Sequence, residues 1–128
     1  MIVDSSALLA VLFREPDAER YEMALAAAPA SRMSLANVFE ASIVWEGRGG
    51  PAASQRLDLF LDQVGIEMVP VTAEHVTAAR QAWRRFGKGN HPAALNFGDC
   101  FTYALAEVTG ESLLFKGDDF ALTDIEAA

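Results

Sequence analysis

The sequence has a single cysteine, Cys100, and therefore no partner for an intramolecular disulfide. It also lacks any stretch that approaches the roughly 18 uncharged apolar residues that a membrane span requires. The N-terminal run MIVDSSALLAVLF places Asp4 ahead of its apolar residues and has no basic start or small-residue cleavage site, so we expect no signal peptide. A lone cysteine is typical of the reducing cytosol, and we expect a cytoplasmic protein without a membrane anchor.

Basic residues are scarce, with ten Lys and Arg against eighteen Asp and Glu and a formal net charge of −8. A protein that coats nucleic acid non-specifically would be basic, so the composition argues against that class. It does not exclude an enzyme that acts on nucleic acid, because acidic residues can hold a metal ion while a local basic patch holds the substrate. The 128 residues, 52% of them hydrophobic, predict one domain over residues 1–128 with one core.

Segments with a helical period alternate with short apolar runs, which predicts an α/β domain with a mostly parallel sheet. Strands are predicted at Met1–Val3, Arg32–Ser34, Ile66–Val71 and Leu113–Phe115, with a further short strand near Ile125. Helices are predicted over Ala7–Phe13 with Ser5 and Ser6 as caps, from Pro16 to about Ala28, from Ser34 to Gly47, around Leu57–Val64, from Thr72 to Phe86, and between Asn96 and Gly110. The tryptophans, the phenylalanines and Cys100 are expected in the core.

Acidic residues fall where these elements begin or end. In open α/β sheets, ligands bind outside the carboxyl ends of the strands, and three of the acids follow predicted strands. Each acid alone has a plain structural explanation, as a favourable charge for a helix dipole, a solvated surface residue or a turn residue. Together they suit a site for a hard cation, which would relieve the repulsion between neighbouring carboxylates. The candidates are Asp4, Glu40, Asp99, Asp118 and Asp119.

Basic residues cluster at the end of one predicted helix and in the loop that follows it. Arg80 and Arg84 are four residues apart and therefore share a helix face. An ordinary solvated helix end is the alternative explanation, since basic residues are favoured near a helix C-terminus. The residues predicted to contact phosphate groups are Arg80, Arg84, Arg85, Lys88 and Lys116, with His91 nearby.

Four segments together resemble the PIN-domain family and, within it, the VapC type of toxin ribonuclease. They are MIVDSSAL at the start, SLANVFEAS around Glu40, NFGDCFTYALA around Asp99, and LLFKGDDF followed by Thr123 and Asp124. Their order and spacing match the family from residue 1 to residue 124, which is essentially the whole chain.

The resemblance implies a three-layer α/β/α sandwich around a parallel sheet. It implies Mg²⁺ or Mn²⁺ at Asp4 and Asp99, with Glu40 and a fourth acid completing the cluster directly or through water. Many family members carry that fourth acid at the place of Gly117 or Asp118, so either Asp118 or Asp119 could serve here. Ser6 matches a family hydroxyl that would contact a carboxylate or the substrate, with a plain helix cap as the alternative.

The same resemblance implies hydrolysis of RNA phosphodiester bonds by the toxin of a VapBC-type toxin–antitoxin pair, with inhibition of translation and growth. Family members typically form homodimers and bind an antitoxin that blocks the acidic site, and we expect Trp45 and the region Phe13–Tyr21 to contribute to a partner surface.

Three other functions fit parts of the same pattern. The first is a catalytically silent PIN-like binding module, against which the complete set of acids argues. The second is a metal-dependent DNA nuclease, which shares every motif. The third is a phosphatase that uses Asp4 as nucleophile, but such enzymes need a second Asp two residues later, where this chain has Ser6.

Overall fold

The computed structural model describes every residue from Met1 to Ala128. Its centre is a four-stranded sheet in the order β3-β2-β1-β4, in which every pair of neighbouring strands is parallel. The strands are β1 (Ile2–Val3), β2 (Ser31–Ser34), β3 (Ile66–Val69) and β4 (Leu113–Leu114). Because β1 lies between β2 and β4, its carboxyl end opens at the middle of the sheet edge.

Helices cover both faces of this sheet. They are α1 (Ser5–Leu12), α2 (Ala18–Ala27), α3 (Leu35–Gly49), α4 (Ala53–Val64), α5 (Ala73–Phe86) and α6 (Phe97–Thr109), followed by a short 3₁₀ helix, Phe120–Leu122. Neighbouring residues of a strand point to opposite faces, so Ile2 packs with α5 and α6 while Val3 packs with α1 to α4. The two cores confirm the predicted three-layer α/β/α architecture. None of the six helices could span a membrane.

Several predicted boundaries were wrong for local reasons. Helix α1 begins at Ser5 rather than Ala7, because the carboxylate of Asp4 caps it by accepting the backbone N–H of Ser6 at 3.0 Å. Strand β3 ends at Val69, before Pro70, which has no N–H to donate to a neighbouring strand.

At the end of the chain, β4 stops at Leu114, one residue earlier than predicted. The short strand predicted near Ile125 is present only as an isolated parallel bridge between Leu113 and Ala127.

Three large aromatic side chains expected in the core lie at the surface instead. Phe39, Trp83 and Phe97 are 66%, 52% and 82% exposed, whereas Cys100 is buried as predicted. Helical spacing located the apolar side of α5, but its buried stripe runs through the small residues Ala78, Ala79 and Ala82 and ends at Phe86. Trp83 therefore lies at the edge of that stripe.

Two glycines with open space around the missing side chain should respond oppositely to alanine. Gly65 ends α4 with a φ of +75°, which strains any L side chain, whereas Gly47 lies inside α3. We expect Gly65→Ala to lower the free energy of unfolding by about 1 kcal/mol and Gly47→Ala to raise it by about 0.5–1 kcal/mol. Urea denaturation measures both, and changes of the same sign would contradict the assigned backbone conformations.

Candidate functional site

The carboxylate of Asp4 lies at the carboxyl end of β1 and is almost completely buried, with only 2% of the residue exposed. One oxygen, Oδ1, accepts a hydrogen bond from the hydroxyl of Thr102 on α6 at 2.6 Å. The other, Oδ2, accepts from the backbone N–H and the hydroxyl of Ser6 at 3.0 and 2.6 Å. Three donors from two elements therefore hold this acid in one orientation.

Glu40 reaches the same edge of the sheet from α3. Its Oε1 accepts a 2.5 Å hydrogen bond from the Ser5 hydroxyl and a longer one, 3.4 Å, from the side-chain amide of Asn37. Its Oε2 lies against Gly98 on α6, so closely that a Cβ on that residue would be 1.8 Å from the oxygen. The absence of a side chain at Gly98 is what lets the Glu40 carboxylate sit beside the start of α6.

Asp99 lies in the first turn of α6 and forms a capping box with Asn96, in which each side chain accepts the other's backbone N–H. The pKa of its carboxyl is raised from 3.8 to about 7, and burial is the largest cause. The negative charges of Asp4, Asp119 and Glu40 contribute to this rise, while the hydrogen bond from the N–H of Asn96 opposes it. These three acids are thus close enough to Asp99 to act on its carboxyl electrostatically.

Asp118 and Asp119 are both exposed in the loop after β4. The negative charge of Asp119 is one of the main causes that raise the pKa of Asp99. Asp119 also stands directly before the buried Phe120, which fixes where the loop returns to the protein.

None of these five acids forms a salt bridge with a basic side chain. As the side chains stand, no three His, Cys, Asp or Glu residues form a group that could hold a metal ion. A cation here would therefore rely on one or two direct carboxylates and on water, which is how Mg²⁺ is usually bound in proteins.

Asn37, three residues before Glu40, adds an observation that fits a hydrated ion. It is fully buried and donates its amide to the carbonyl oxygen of Gly98 at 2.9 Å, while its Oδ1 has no partner. Buried polar atoms are normally satisfied by protein groups or ordered water, so an acceptor here suits a water of a cation's hydration shell. The donor set therefore fits a divalent cation.

The predicted phosphate contacts separate into paired and unpaired cations. Lys116 forms ion pairs with Glu15 and, at 2.8 Å, with Asp17, and these carboxylates raise the pKa of its ammonium group. Arg85 is paired with Asp124 at 3.0 Å. Both cations are therefore engaged by carboxylates as the side chains stand.

The remaining three basic residues, Arg80, Arg84 and Lys88, are exposed and form no salt bridge. Arg80 and Lys88 line one cavity of about 540 Å³ between α5 and α6, together with Trp83 and Phe97. Asn96, the N-cap of α6 and the capping partner of Asp99, also lines this cavity, whereas none of the five acids does.

The hydroxyl of Ser6 contacts the carboxylate of Asp4. The resemblance implied that it would contact either a carboxylate or the substrate. Its hydroxyl donates to Asp4 and accepts the backbone N–H of Lys116 at 2.9 Å, so its proton is already engaged. Ser6 is not the cap of α1, because Asp4 takes that position.

Three side chains of the site, Thr102, Ser5 and Asn37, were not predicted from the sequence. Thr102 is three residues after Asp99 and thus on the same face of α6, a spacing that could have indicated it. Ser5 and Asn37 become visible only when α1 and α3 are packed side by side.

The burial of Asp99 predicts an unusual dependence of stability on pH. Between pH 4 and pH 7 the folded chain holds a proton that the unfolded chain has lost, so metal-free protein should lose stability as the pH rises through this range. Asp99→Asn removes that ionisation, and we expect the variant to melt at a higher temperature than wild type at pH 8 and at a similar temperature at pH 4. Asp58→Asn, an exposed acid on α4, is the control.

Thermal melts in the presence of a chelator measure the effect. If the melting temperatures of wild type and Asp99→Asn differed by the same amount at pH 4 and at pH 8, ionisation of Asp99 would not destabilise the folded protein.

Comparison with known proteins identifies the family of this chain. The family model for the PIN domain matches residues 1–126. The chain is 51% identical over 127 residues to a protein named Ribonuclease VapC from Mycolicibacterium smegmatis, an alignment that covers 99% of this chain and 98% of the relative. It is 49% identical over 125 residues to Ribonuclease VapC30 of Mycobacterium tuberculosis, which covers 98% and 95% of the two chains.

Solved structures share the fold. The crystal structure of Mycobacterium tuberculosis VapC20, described as a sarcin–ricin loop cleaving toxin, superposes with a TM-score of 0.77 at 18% identity and covers 99% of this chain and 97% of its own. A toxin–antitoxin complex from Klebsiella pneumoniae gives a TM-score of 0.72 at 19% identity and covers 96% and 92%. With the sequence matches across the full length, the chain belongs to the PIN-domain family and, within it, to the VapC type of ribonuclease.

Proposed function

We propose that this VapC-type ribonuclease hydrolyses RNA phosphodiester bonds with a bound Mg²⁺ or Mn²⁺, and that it acts in the cytoplasm as the toxin of a toxin–antitoxin pair. The observation that carries the proposal is the cluster of Asp4, Glu40, Asp99 and Asp119, which has hydrogen-bond donors for orientation but no basic side chain for neutralisation. The whole chain, residues 1–128, is proposed to work as one domain.

Asp4 and Asp99 are the proposed metal ligands, and Glu40 and Asp119 the acids that complete the cluster directly or through water. Of the two acids in the last loop we choose Asp119, because it contributes to the electrostatic field at Asp99. When bound, a divalent cation lowers the pKa of water and stabilises negative charge on a phosphate group.

Separate pairs of side chains orient the carboxylates of Asp4 and Glu40. Thr102 and Ser6 lock the Asp4 carboxylate, so that a ligand would meet a preset geometry. Ser5 and Asn37 both donate to Oε1 of Glu40, which leaves Oε2 free to accept a hydrogen bond from the attacking water. Glu40 is therefore proposed to orient that water.

RNA needs a basic surface on a protein of net charge −8. Arg80, Arg84 and Lys88 are proposed to contact the phosphate backbone, because they are the predicted cations without acidic partners. Trp83 and Phe97 line the cavity between α5 and α6 together with Arg80 and Lys88, and their aromatic rings are exposed there.

Two protein partners are proposed from the exposed apolar surface. Leu35, Phe39 and Ile43 repeat every four residues along α3 and are 41%, 66% and 58% exposed, which suits a homodimer interface. Sedimentation equilibrium tests the dimer, and a mass of one chain at micromolar concentration would exclude it.

An antitoxin is proposed in the groove that Leu12, Arg14, Trp45 and Phe60 line, next to Phe13.

The test of activity is cleavage of a panel of labelled RNAs with Mg²⁺, with Mn²⁺ and with a chelator. We expect cleavage only with metal, and a loss of at least about 100-fold in Asp4→Asn, since even outer-shell changes at metal sites cost about 10–100-fold. Asp58→Asn, an exposed acid on α4, should cleave like wild type. Cleavage that survives in both Asp4→Asn and Asp99→Asn would refute the site assignment.

Matched DNA strands in the same panel separate the alternatives. Cleavage of DNA in preference to RNA would favour a DNA nuclease, and binding of RNA without cleavage under any condition would favour a silent binding module.

The basic residues have a different expected effect. Arg80→Ala with Lys88→Ala should raise KM and make binding less sensitive to salt, because fewer counterions are released, while kcat changes little. Arg20→Ala on α2 shows the effect of losing one exposed positive charge outside the cavity. An unchanged KM in the double variant would show that Arg80 and Lys88 do not contact the substrate.

A further inference from the structure

The segment that follows β4 leaves the sheet and returns to it, and its carboxyl end is tied to two helices. The excursion is closed at its base, where the N–H of Leu113 donates to the carbonyl oxygen of Glu126 at 2.9 Å and the N–H of Ala128 donates to that of Leu113 at 2.8 Å. Inside the excursion lie Asp119, the 3₁₀ helix Phe120–Leu122 and then Asp124. Whatever holds Asp124 therefore also limits where Asp119 can lie.

Asp124 is held by one group from each of the helices α5 and α6. Its Oδ1 accepts the phenol of Tyr103 at 2.6 Å, and its Oδ2 accepts the guanidinium of Arg85 at 3.0 Å. The Tyr103 phenol and the Arg85 cation both lower the pKa of the Asp124 carboxyl, so it is charged at neutral pH. Tyr103 is only 2% exposed, and its hydroxyl makes this contact at the edge of the core.

The chain between Asp124 and Asp119 is short and internally bonded. The hydroxyl and the N–H of Thr123 both donate to the carbonyl oxygen of Phe120, at 2.7 and 3.0 Å. The ring of Phe120 is buried against Phe115, with ring centres 5.4 Å apart. Asp119 is therefore restrained from the Phe120 side by the buried ring and the bonds of Thr123, and Asp124 fixes the other end of this short segment.

We propose that Tyr103, Arg85 and Asp124 are positioning residues, which hold Asp119 against Asp99 in the cation-binding cluster. Tyr103 is four residues after Asp99 on α6, so both lie on one side of the same rigid helix. One helix thus carries an acid of the cluster and the anchor of the loop that brings the fourth acid to it. The inference rests on the proposed function, because it assumes that Asp119 helps to hold the cation.

The experiment is a titration of the purified, metal-free full chain with MnCl₂ by isothermal calorimetry. It compares wild type with Asp124→Asn, Tyr103→Phe and Asp119→Asn, and with the double variant Asp119→Asn/Asp124→Asn. Tyr103→Phe keeps the buried ring and removes only the hydroxyl. Glu67→Gln is the control, because it breaks an exposed ion pair to Arg32 that is also 3.0 Å long, on β2 and β3 away from the loop. Thermal melts of every variant accompany the titrations.

We expect Asp124→Asn to weaken Mn²⁺ binding about 10-fold, in the range usual for residues that orient metal ligands, and Tyr103→Phe to weaken it in the same direction. In a protein that already carries Asp119→Asn, adding Asp124→Asn should not weaken Mn²⁺ binding further, because the carboxylate that Asp124 positions is no longer present. Glu67→Gln should bind as wild type does.

A weakening that is equally large with and without Asp119, or Mn²⁺ binding that is unchanged in both Asp124→Asn and Tyr103→Phe, would overturn the inference while leaving the proposed function intact. A lower melting temperature with unchanged Mn²⁺ binding would assign the three residues a purely structural role. If wild type itself binds no Mn²⁺, the metal part of the proposed function fails, and this inference fails with it.

Discussion

The hydrogen bond from Thr102 to the buried carboxylate of Asp4 joins the carboxyl end of β1 to α6, and the acidic site is organised around it. An unpaired buried carboxylate is costly, and here hydroxyl and amide donors offset that cost without neutralising the charge. The result is an oriented anion at the centre of the sheet edge. Asp99 lies one turn before Thr102 on the same helix, and its pKa is raised mainly by burial and further by the charge of Asp4.

The basic side chains near the acidic cluster form their ion pairs outside it. Lys116 and Arg85 are both near the loop after β4, yet each is engaged by carboxylates outside the acidic cluster. They tie that loop to the α1–α2 connection and to α5 without quenching the negative field at Asp99. Since neutralising side chains are kept out of the cluster, its charge remains available for a cation.

Close approach between helices is the second requirement. Helix α3 brings Glu40 against α6 only because Gly98 has no side chain, and the buried amide of Asn37 bridges the two helices at that point. These contacts form no motif that could be recognised from residue types alone. They explain why a glycine directly precedes the acid in the segment NFGDC.

Much of the fold could be predicted from the sequence, because strand and helix periods are local properties of a chain. The alternation of apolar runs and helical segments predicted the parallel α/β layers, and the four acidic segments predicted the family. The start of α1 was misplaced because Asp4 could be interpreted as a ligand or as a cap, and the structure uses it as a cap while keeping its carboxylate in the cluster. The exposed positions of Trp83 and Phe97 were missed because residue type indicates burial only on average.

The sequence by itself determined the order of the elements, the acids at their ends and the excess of negative charge. Only the tertiary structure decided which of the predicted cations form ion pairs, that the charge of Asp119 acts on Asp99, and that Asp124 is held by Tyr103 and Arg85. The physical reason is that hydrogen bonds and ion pairs depend on distances of a few ångströms between residues far apart in the chain. Such distances follow from packing and not from local residue patterns.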